Sequence, residues 1–336
     1  MQARAFSERT TAKKLGASSR ASGVMPRAKV ESGIEEMFVQ NESVSLCLLL
    51  NRRAKTMRVI DFRAGPSHAK RLFVLKLAKR EGIEKVYTLV ERDETHTWMK
   101  LGFNKEANIP GFYKRSDAFL LGVGVDEALA TEIKGSLEAT SADDDDDDDV
   151  EVTPPKASPA HDRMEKTLVQ AKKQAKALLD RPLPVAKLAQ VKASDVQKTV
   201  DKMVRSGAAL TAFEPFGRDV ERRHFTVTAK NNFELVTSIE SQACFANAFL
   251  ELLTPPSTEH ERLATVSSLR AICDKLLGEG VVSCFALAPS DDVALATAFV
   301  FNGFRRTGLL QGHMLVKGER KDAIVWSRKL ADPKEV

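Results

Sequence analysis

Two segments of this 336-residue chain stop and restart in the same way. One, rich in small and apolar residues, ends at Gly102-Phe103, continues to Gly111, and runs on to Ser116-Asp117-Ala118-Phe119. The other ends at Gly303-Phe304, continues to Gly312, and runs on to Lys321-Asp322-Ala323-Ile324. Phe103 and Phe304 lie 201 residues apart, Asp117 and Asp322 205 apart, so the second hairpin carries about four more residues. A repeat this distant requires two copies of one supersecondary unit rather than a short-period solenoid.

The length suits about two domains, and an apolar content of 43% is enough for two cores. The net charge of +5 is unevenly placed. Arg4, Arg9, Lys13, Lys14, Arg20, Arg27 and Lys29 face Glu8 alone at the start, while positions 143–149 are consecutive Asp. Residues 1–32 read as a disordered basic arm and 135–160 as an acidic Asp/Pro linker, because neighbouring like charges stay hydrated. Cys47, Cys244, Cys273 and Cys284 form no CxxC pair, which points to reduced, buried thiols and a cytoplasmic protein. The His residues are too widely spaced for a metal pair. No apolar run is long enough for a membrane span.

The first unit, 33–134, reads as ββαβαββ. Its strands fall at 43–50, 56–62, 85–91, 103–109 and 115–122, and its helices at 67–81 and 93–101. Ser67 is a plausible N-cap and Gly82 a stop. Residues 161–206 form a helical segment. The second unit, 207–331, has strands at 209–214, 223–229, 233–239, 243–252, 281–288, 304–311, 313–317 and 322–328, with helices at 259–277 and 291–302. The expected class is therefore α/β (α+β layered): mixed sheets flanked by helices and joined by the acidic linker.

The βαβαββ tail with its Gly-Phe helix stop resembles the acetyl-CoA-binding half of the GNAT acetyltransferase superfamily, about 90 residues in each half. The second copy, Phe301 to Leu310 and Gly318 to Leu330, is similar to β-lysine N-acetyltransferase-like members. The resemblance implies tandem GNAT-like units, the first truncated, and acetyl-CoA as acyl donor between two parallel strands. It also implies a pyrophosphate held by backbone N–H groups at a helix N-terminus, where donors and the positive dipole end coincide. In the first copy that loop is Phe62 to Ala69, with Arg63, Gly65, Ser67 and His68 as cofactor-binding candidates. Pro66 departs from the family's glycine and has no N–H to give. The second copy's loop, Thr254 to Glu261, has two prolines, two carboxylates and no glycine. The family's frequent helix tyrosine, four residues before the glycine, is Trp98 in one copy and Phe299 in the other.

Glu91, at the C-terminal end of its strand where open α/β sheets hold ligands, is the candidate base. Tyr113, in the Pro110–Tyr113 turn, is its catalytic companion at a pocket mouth, whereas Tyr87 reads as core. Glu240 and Glu251, with Gln242 or His313, are the comparable groups of the second copy. Three functions follow. The first is an acyl-CoA-dependent N-acyltransferase acting on a small-molecule or protein amine. The second is a catalytically degenerate GNAT-like module for protein interaction or acyl-CoA sensing. The third, nucleic-acid binding through the basic arm and the 163–205 helices, lacks the aromatic-plus-basic clusters of such modules.

Overall fold

The computed structural model describes residues 28–29, 34–40, 45–61, 67–113, 116–138, 159–210, 216, 220–230, 233–242 and 244–331. Arg63, Gly65, the Asp run and most of the basic arm lie outside them. In chain order the first half contains β1 (Ala28–Lys29), β2 (Ile34–Gln40), β3 (Ser45–Asn51), β4 (Thr56–Asp61), α1 (His68–Arg80), β5 (Lys85–Val90), α2 (Arg92–Lys100), β6 (Asn104–Ile109), β7 (Ala118–Gly124) and α3 (Val125–Glu138). The second half opens with α4 (Pro159–Ala177), β8 (Lys187–Val191), α5 (Ala193–Arg205), β9 (Glu221–Ala229) and β10 (Phe233–Gln242). It continues with β11 (Asn247–Leu252), α6 (Glu259–Gly278), β12 (Ser283–Pro289), α7 (Val293–Phe301), β13 (Arg305–Val316) and β14 (Glu319–Lys329).

All the described strands join one mixed sheet, ordered β1-β2-β3-β4-β5-β7-β6-β13-β14-β12-β11-β10-β9-β8. From the centre outward each half runs hairpin, parallel pair, antiparallel edge, so one half repeats the other in reverse across the β6–β13 seam. At that seam Gly308 pairs with Ala107. A Cβ on Gly308 would stand 2.2 Å from the Ala107 Cβ, so only glycine allows this approach.

The repeated sequence explains itself in the fold. Helices α2 and α7 both stop at a glycine in the left-handed region, Gly102 at φ 72° and Gly303 at φ 76°. The following Phe turns into the core edge-to-face on the helix aromatic, Phe103 on Trp98 at 4.9 Å and Phe304 on Phe299 at 5.1 Å. In each hairpin the repeated Asp holds the turn: Asp117 Oδ1 accepts from Gly111 N–H at 2.9 Å, and Asp322 Oδ1 from Gly312 N–H at 2.7 Å.

Three cores result. Leu75, Trp98 and Leu121 pack α1 and α2 on one face of the first half. Leu269, Leu295 and Trp326 do the same for α6 and α7 in the second. The remaining faces of the two halves meet each other, with Tyr87, Phe112 and Leu120 against Phe249, Phe285 and Met314. Phe216 lies in this inner core, its ring 4.4 Å from Phe249 and 4.9 Å from Phe285.

Several expectations change. Strand β2 and helix α3 were not announced, because IEEMFVQ mixes charges into its apolar pattern and the 125–138 stretch follows a strand without a break. Ala28–Lys29, placed in the basic arm, pairs with Glu35 and Glu36. Within the 161–206 segment, β8 forms because its backbone pairs with β9. No strand occupies the described part of 209–214. The two strands expected at 304–311 and 313–317 are the single β13, which carries a register shift between Leu310 and Met314. Cys47, Cys273 and Cys284 are buried, but Cys244 is exposed, since it lies in the β10–β11 turn rather than on a strand. No helix of the described residues is long and apolar enough to cross a membrane.

Candidate functional site

Each half has a pair of parallel strands that start together and then part. Strands β4 and β5 pair through Thr56–Lys85, Met57–Val86 and Arg58–Tyr87, and no backbone pair follows. Beyond that point the Thr88 hydroxyl donates to Val59 O at 2.9 Å. Strands β11 and β12 pair from Asn247–Ser283 to Leu250–Ala286 and then part likewise. Each notch opens toward the N-terminus of the helix that follows its first strand, α1 or α6.

The two helix starts differ in charge. Ser67 caps α1, its side chain accepting from Lys70 N–H at 3.3 Å. The first turn of α1 has no acid and carries His68, Lys70 and Arg71. Arg71 Nε is 2.6 Å from Glu132 Oε1, and the same guanidinium donates to Leu101 O. His68 is exposed, 3.6 Å from the other Glu132 oxygen. Such a start suits an anion.

Helix α6 starts with its anion built in. Glu261 Oε2 accepts from Ser257 N–H and Ser257 Oγ, both at 2.5 Å, and from Thr258 N–H at 3.0 Å. The Thr258 side chain accepts from Glu261 N–H, completing a capping box. The Ser257 bonds, foremost that of its hydroxyl, hold the Glu261 carboxyl below the usual range. A cleft of about 560 Å³ lies here, lined by Pro255, Pro256, Arg262, Asp291, Lys317 and Lys321 among others. Lys321 is tied to Asp291 at 2.6 Å. The second notch therefore has room but lacks the donors a pyrophosphate needs, whereas the described part of the first has donors and positive charge.

Of the expected catalytic residues, Glu91 is exposed at the end of β5 and is the N-cap residue of α2, with no side-chain cap hydrogen bond. Tyr113 is half-buried. Burial pushes its phenol up to about 12, with Arg58 opposing and Glu91 and Glu94 reinforcing. Glu91 and Tyr113 thus stand within electrostatic reach of each other at the first notch. Ser67 and His68 lie at the adjoining helix start, while Arg63 and Gly65 fall outside the described residues.

The second half's candidates sit differently. Glu240 and Glu251 are buried around Arg222, at 3.0 Å and 3.5 Å, and Ser238 Oγ donates to Glu251 at 2.8 Å. Sequence reasoning offered these acids as counterparts of Glu91 and missed the arginine that pairs with them. The cross-strand register of Arg222 with Glu240 was the available signal. His313 is fully buried, its ring edge-on to Tyr87 at 4.9 Å. Burial, with the Lys85 and Arg320 charges, holds its imidazole well below the usual range. Glu251, His313 and Tyr87 share a cavity of about 20 Å³, room for roughly one water. Trp98 and Phe299, at the family's tyrosine position, are buried in the helix-side cores. Among the described residues no three His, Cys, Asp or Glu side chains gather to hold a metal.

No family model and no curated protein matches this chain. Among solved structures, it is similar to the ribosomal-protein-S18-alanine N-acetyltransferase from Escherichia coli, at 15% identity and a TM-score of 0.35, over 44% of this chain and 96% of that one. It is also similar to spermidine N-acetyltransferase from Vibrio cholerae, a complex with CoA and spermine, at 12% identity and a TM-score of 0.36, over 43% of this chain and 95% of that one. A phosphinothricin N-acetyltransferase structure matches at 17% identity and a TM-score of 0.35, over 44% of this chain and 99% of that one.

Proposed function

We propose that the chain is a GNAT-type, acyl-CoA-dependent N-acyltransferase built from tandem units, with its transfer site in the first notch and its second notch catalytically silent. One observation carries this reading. The first pair of parallel strands parts beside a helix start that has Ser67, His68, Lys70 and Arg71 and no first-turn acid. Arg63, Gly65, Ser67 and His68 are the proposed pyrophosphate-binding residues, and acetyl-CoA supplies the activated thioester. The acceptor nitrogen forms the new C–N bond, the C–S bond breaks, and its electron pair leaves with sulfur. The proton lost by nitrogen goes to Glu91. Tyr113, held protonated by burial, donates a hydrogen bond to the departing thiolate.

A second reading, a degenerate GNAT-like interaction or sensing module, is favoured by Glu261, which occupies the donors of the α6 start with its own carboxylate. Calorimetric titration of acetyl-CoA into the full chain, alongside His68→Glu, separates the two. Saturable binding weakened by His68→Glu supports the transferase, and no binding by the unaltered chain up to millimolar ligand leaves the interaction module.

A further inference from the structure

We propose that Thr88 is a positioning residue of the first notch: its hydroxyl takes the carbonyl that would otherwise zip the strands further, and so leaves the Leu89 N–H as a donor to a carbonyl oxygen of the acyl-CoA. This rests on the first notch being the transfer site. The two parallel ladders begin alike. Lys55 and Ala246 both stand at φ 52°. Lys55 O accepts from Glu84 N–H at 2.9 Å and from Lys85 N–H at 3.3 Å, and Ala246 O from Val282 N–H at 2.8 Å and from Ser283 N–H at 3.4 Å. From these equivalent starts β4–β5 makes three pairs, ending at Arg58–Tyr87, whereas β11–β12 makes four, ending at Leu250–Ala286. Counted along the same register, the fourth position is Val59 opposite Thr88 in the first half and Leu250 opposite Ala286 in the second.

The missing fourth pair has a chemical cause. Bonds along a parallel ladder are evenly spaced and recur at every second residue of a strand. Starting from Lys85 N–H on Lys55 O, the bond due at the fourth position runs from Leu89 N–H to Val59 O. Thr88, only 1% exposed, donates its hydroxyl to that oxygen at 2.9 Å instead. The corresponding bond of the second half, Leu287 N–H to Leu250 O, belongs to the Leu250–Ala286 pair, and alanine has no hydroxyl to compete for the carbonyl. Position 88 therefore separates an open notch from a zipped one. It also leaves Leu89 N–H directed at the gap with no pair on β4. A backbone N–H without a ladder partner needs an acceptor, and the uncharged acceptors that an acyl-CoA brings between two strands are its carbonyl oxygens. In the second notch the equivalent donor is spent on Leu250.

The test follows the Leu89 and Leu287 amides of the full chain by residue-resolved hydrogen exchange and titrates acetyl-CoA calorimetrically, for the unaltered protein and for Thr88→Val, Thr88→Ala and Thr88→Ser. Thr88→Val keeps the side-chain volume in case the alanine variant fails to fold. In the unaltered protein Leu89 should exchange about tenfold or more faster than Leu287. Thr88→Val and Thr88→Ala should slow Leu89 about tenfold and weaken acetyl-CoA about tenfold, while Thr88→Ser, which keeps the hydroxyl, should recover both. Loss of packing alone would speed exchange, so a slower Leu89 reports closure of the strands. A protected Leu89 in the unaltered protein, or one that Thr88→Val does not slow, overturns the inference, as does unchanged acetyl-CoA affinity in a variant whose Leu89 has slowed. Acetyl-CoA binding by the unaltered chain in those cases leaves the transferase reading standing. A slowed Leu89 in Thr88→Val without acetyl-CoA binding by the unaltered chain overturns the transferase reading and the ligand of Leu89, and keeps Thr88 as the group that holds the strands apart.

Discussion

The starts of α1 and α6 occupy the same place in the two halves and solve the same problem oppositely. Both follow the first strand of a parting parallel pair, and both leave backbone donors unpaired by the helix itself. Helix α6 satisfies its donors internally through Glu261, whereas α1 begins with a serine cap and a basic first turn. At α6 the carboxylate takes the backbone donors themselves, whereas at α1 the nearby Glu132 faces the Arg71 and His68 side chains instead. The cleft of about 560 Å³ lies beside the self-satisfied start, so room beside a helix start does not by itself leave its donors free.

The strongest way to break the comparison is to ask whether the buried acids of the second half are structural. Arg222→Ala leaves Glu240 and Glu251 without their cation and should cost about 3–5 kcal/mol in denaturant unfolding. Retained stability would reopen that cluster as a chemical site. The next largest effect belongs to α1. His68→Glu should weaken acetyl-CoA binding about tenfold in calorimetry, whereas Glu261→Gln should leave it unchanged. A loss at Glu261 instead would move the cofactor to the second notch. Glu261→Ala should lower stability by about 0.5–2 kcal/mol through the broken capping box, read by thermal unfolding.

The one effect confined to alkaline pH concerns Tyr113. With its phenol raised to about 12 from the usual value of about 10, the stability it contributes is whole below about pH 10 and is lost as pH rises toward about 12. Near-ultraviolet titration of Tyr87→Phe isolates this phenol, and ionisation at the ordinary tyrosine value would show that Tyr113 is not buried beside Phe245.

What the sequence disclosed was local. The Gly-Phe helix stops, the Ser67 cap and the hairpin aspartates each act through neighbours a few residues away, so spacing announces them. The position of Glu91 at the end of β5 was legible because the C-terminal end of a strand is a place defined by the strand itself. The partners of Tyr113 were not, since Phe245 and Asn247 come from a turn in the other half and reach it only when the inner faces close. Apolar residues on both faces of β11 announce a covered strand, but not that the cover is the other half of the chain. Strands β2 and β8, next to one end of the sheet and at the other, also escaped, because their partly exposed positions tolerate charge.

The seam at Gly308 and Ala107 also governs how the molecule is made. These residues are separated by 201 positions, so β6 leaves the ribosome long before its neighbour exists. At about 5–20 residues per second the edge waits roughly 10 to 40 s for β13. Over that interval the first half presents an unpaired strand, the arrangement most prone to pairing with another chain. Residues on β6 therefore serve two stages: Asn104, Lys105 and Glu106 place polar groups on an edge during synthesis, and in the finished structure Asn104 and Lys105 stay exposed while Glu106 pairs with Lys85.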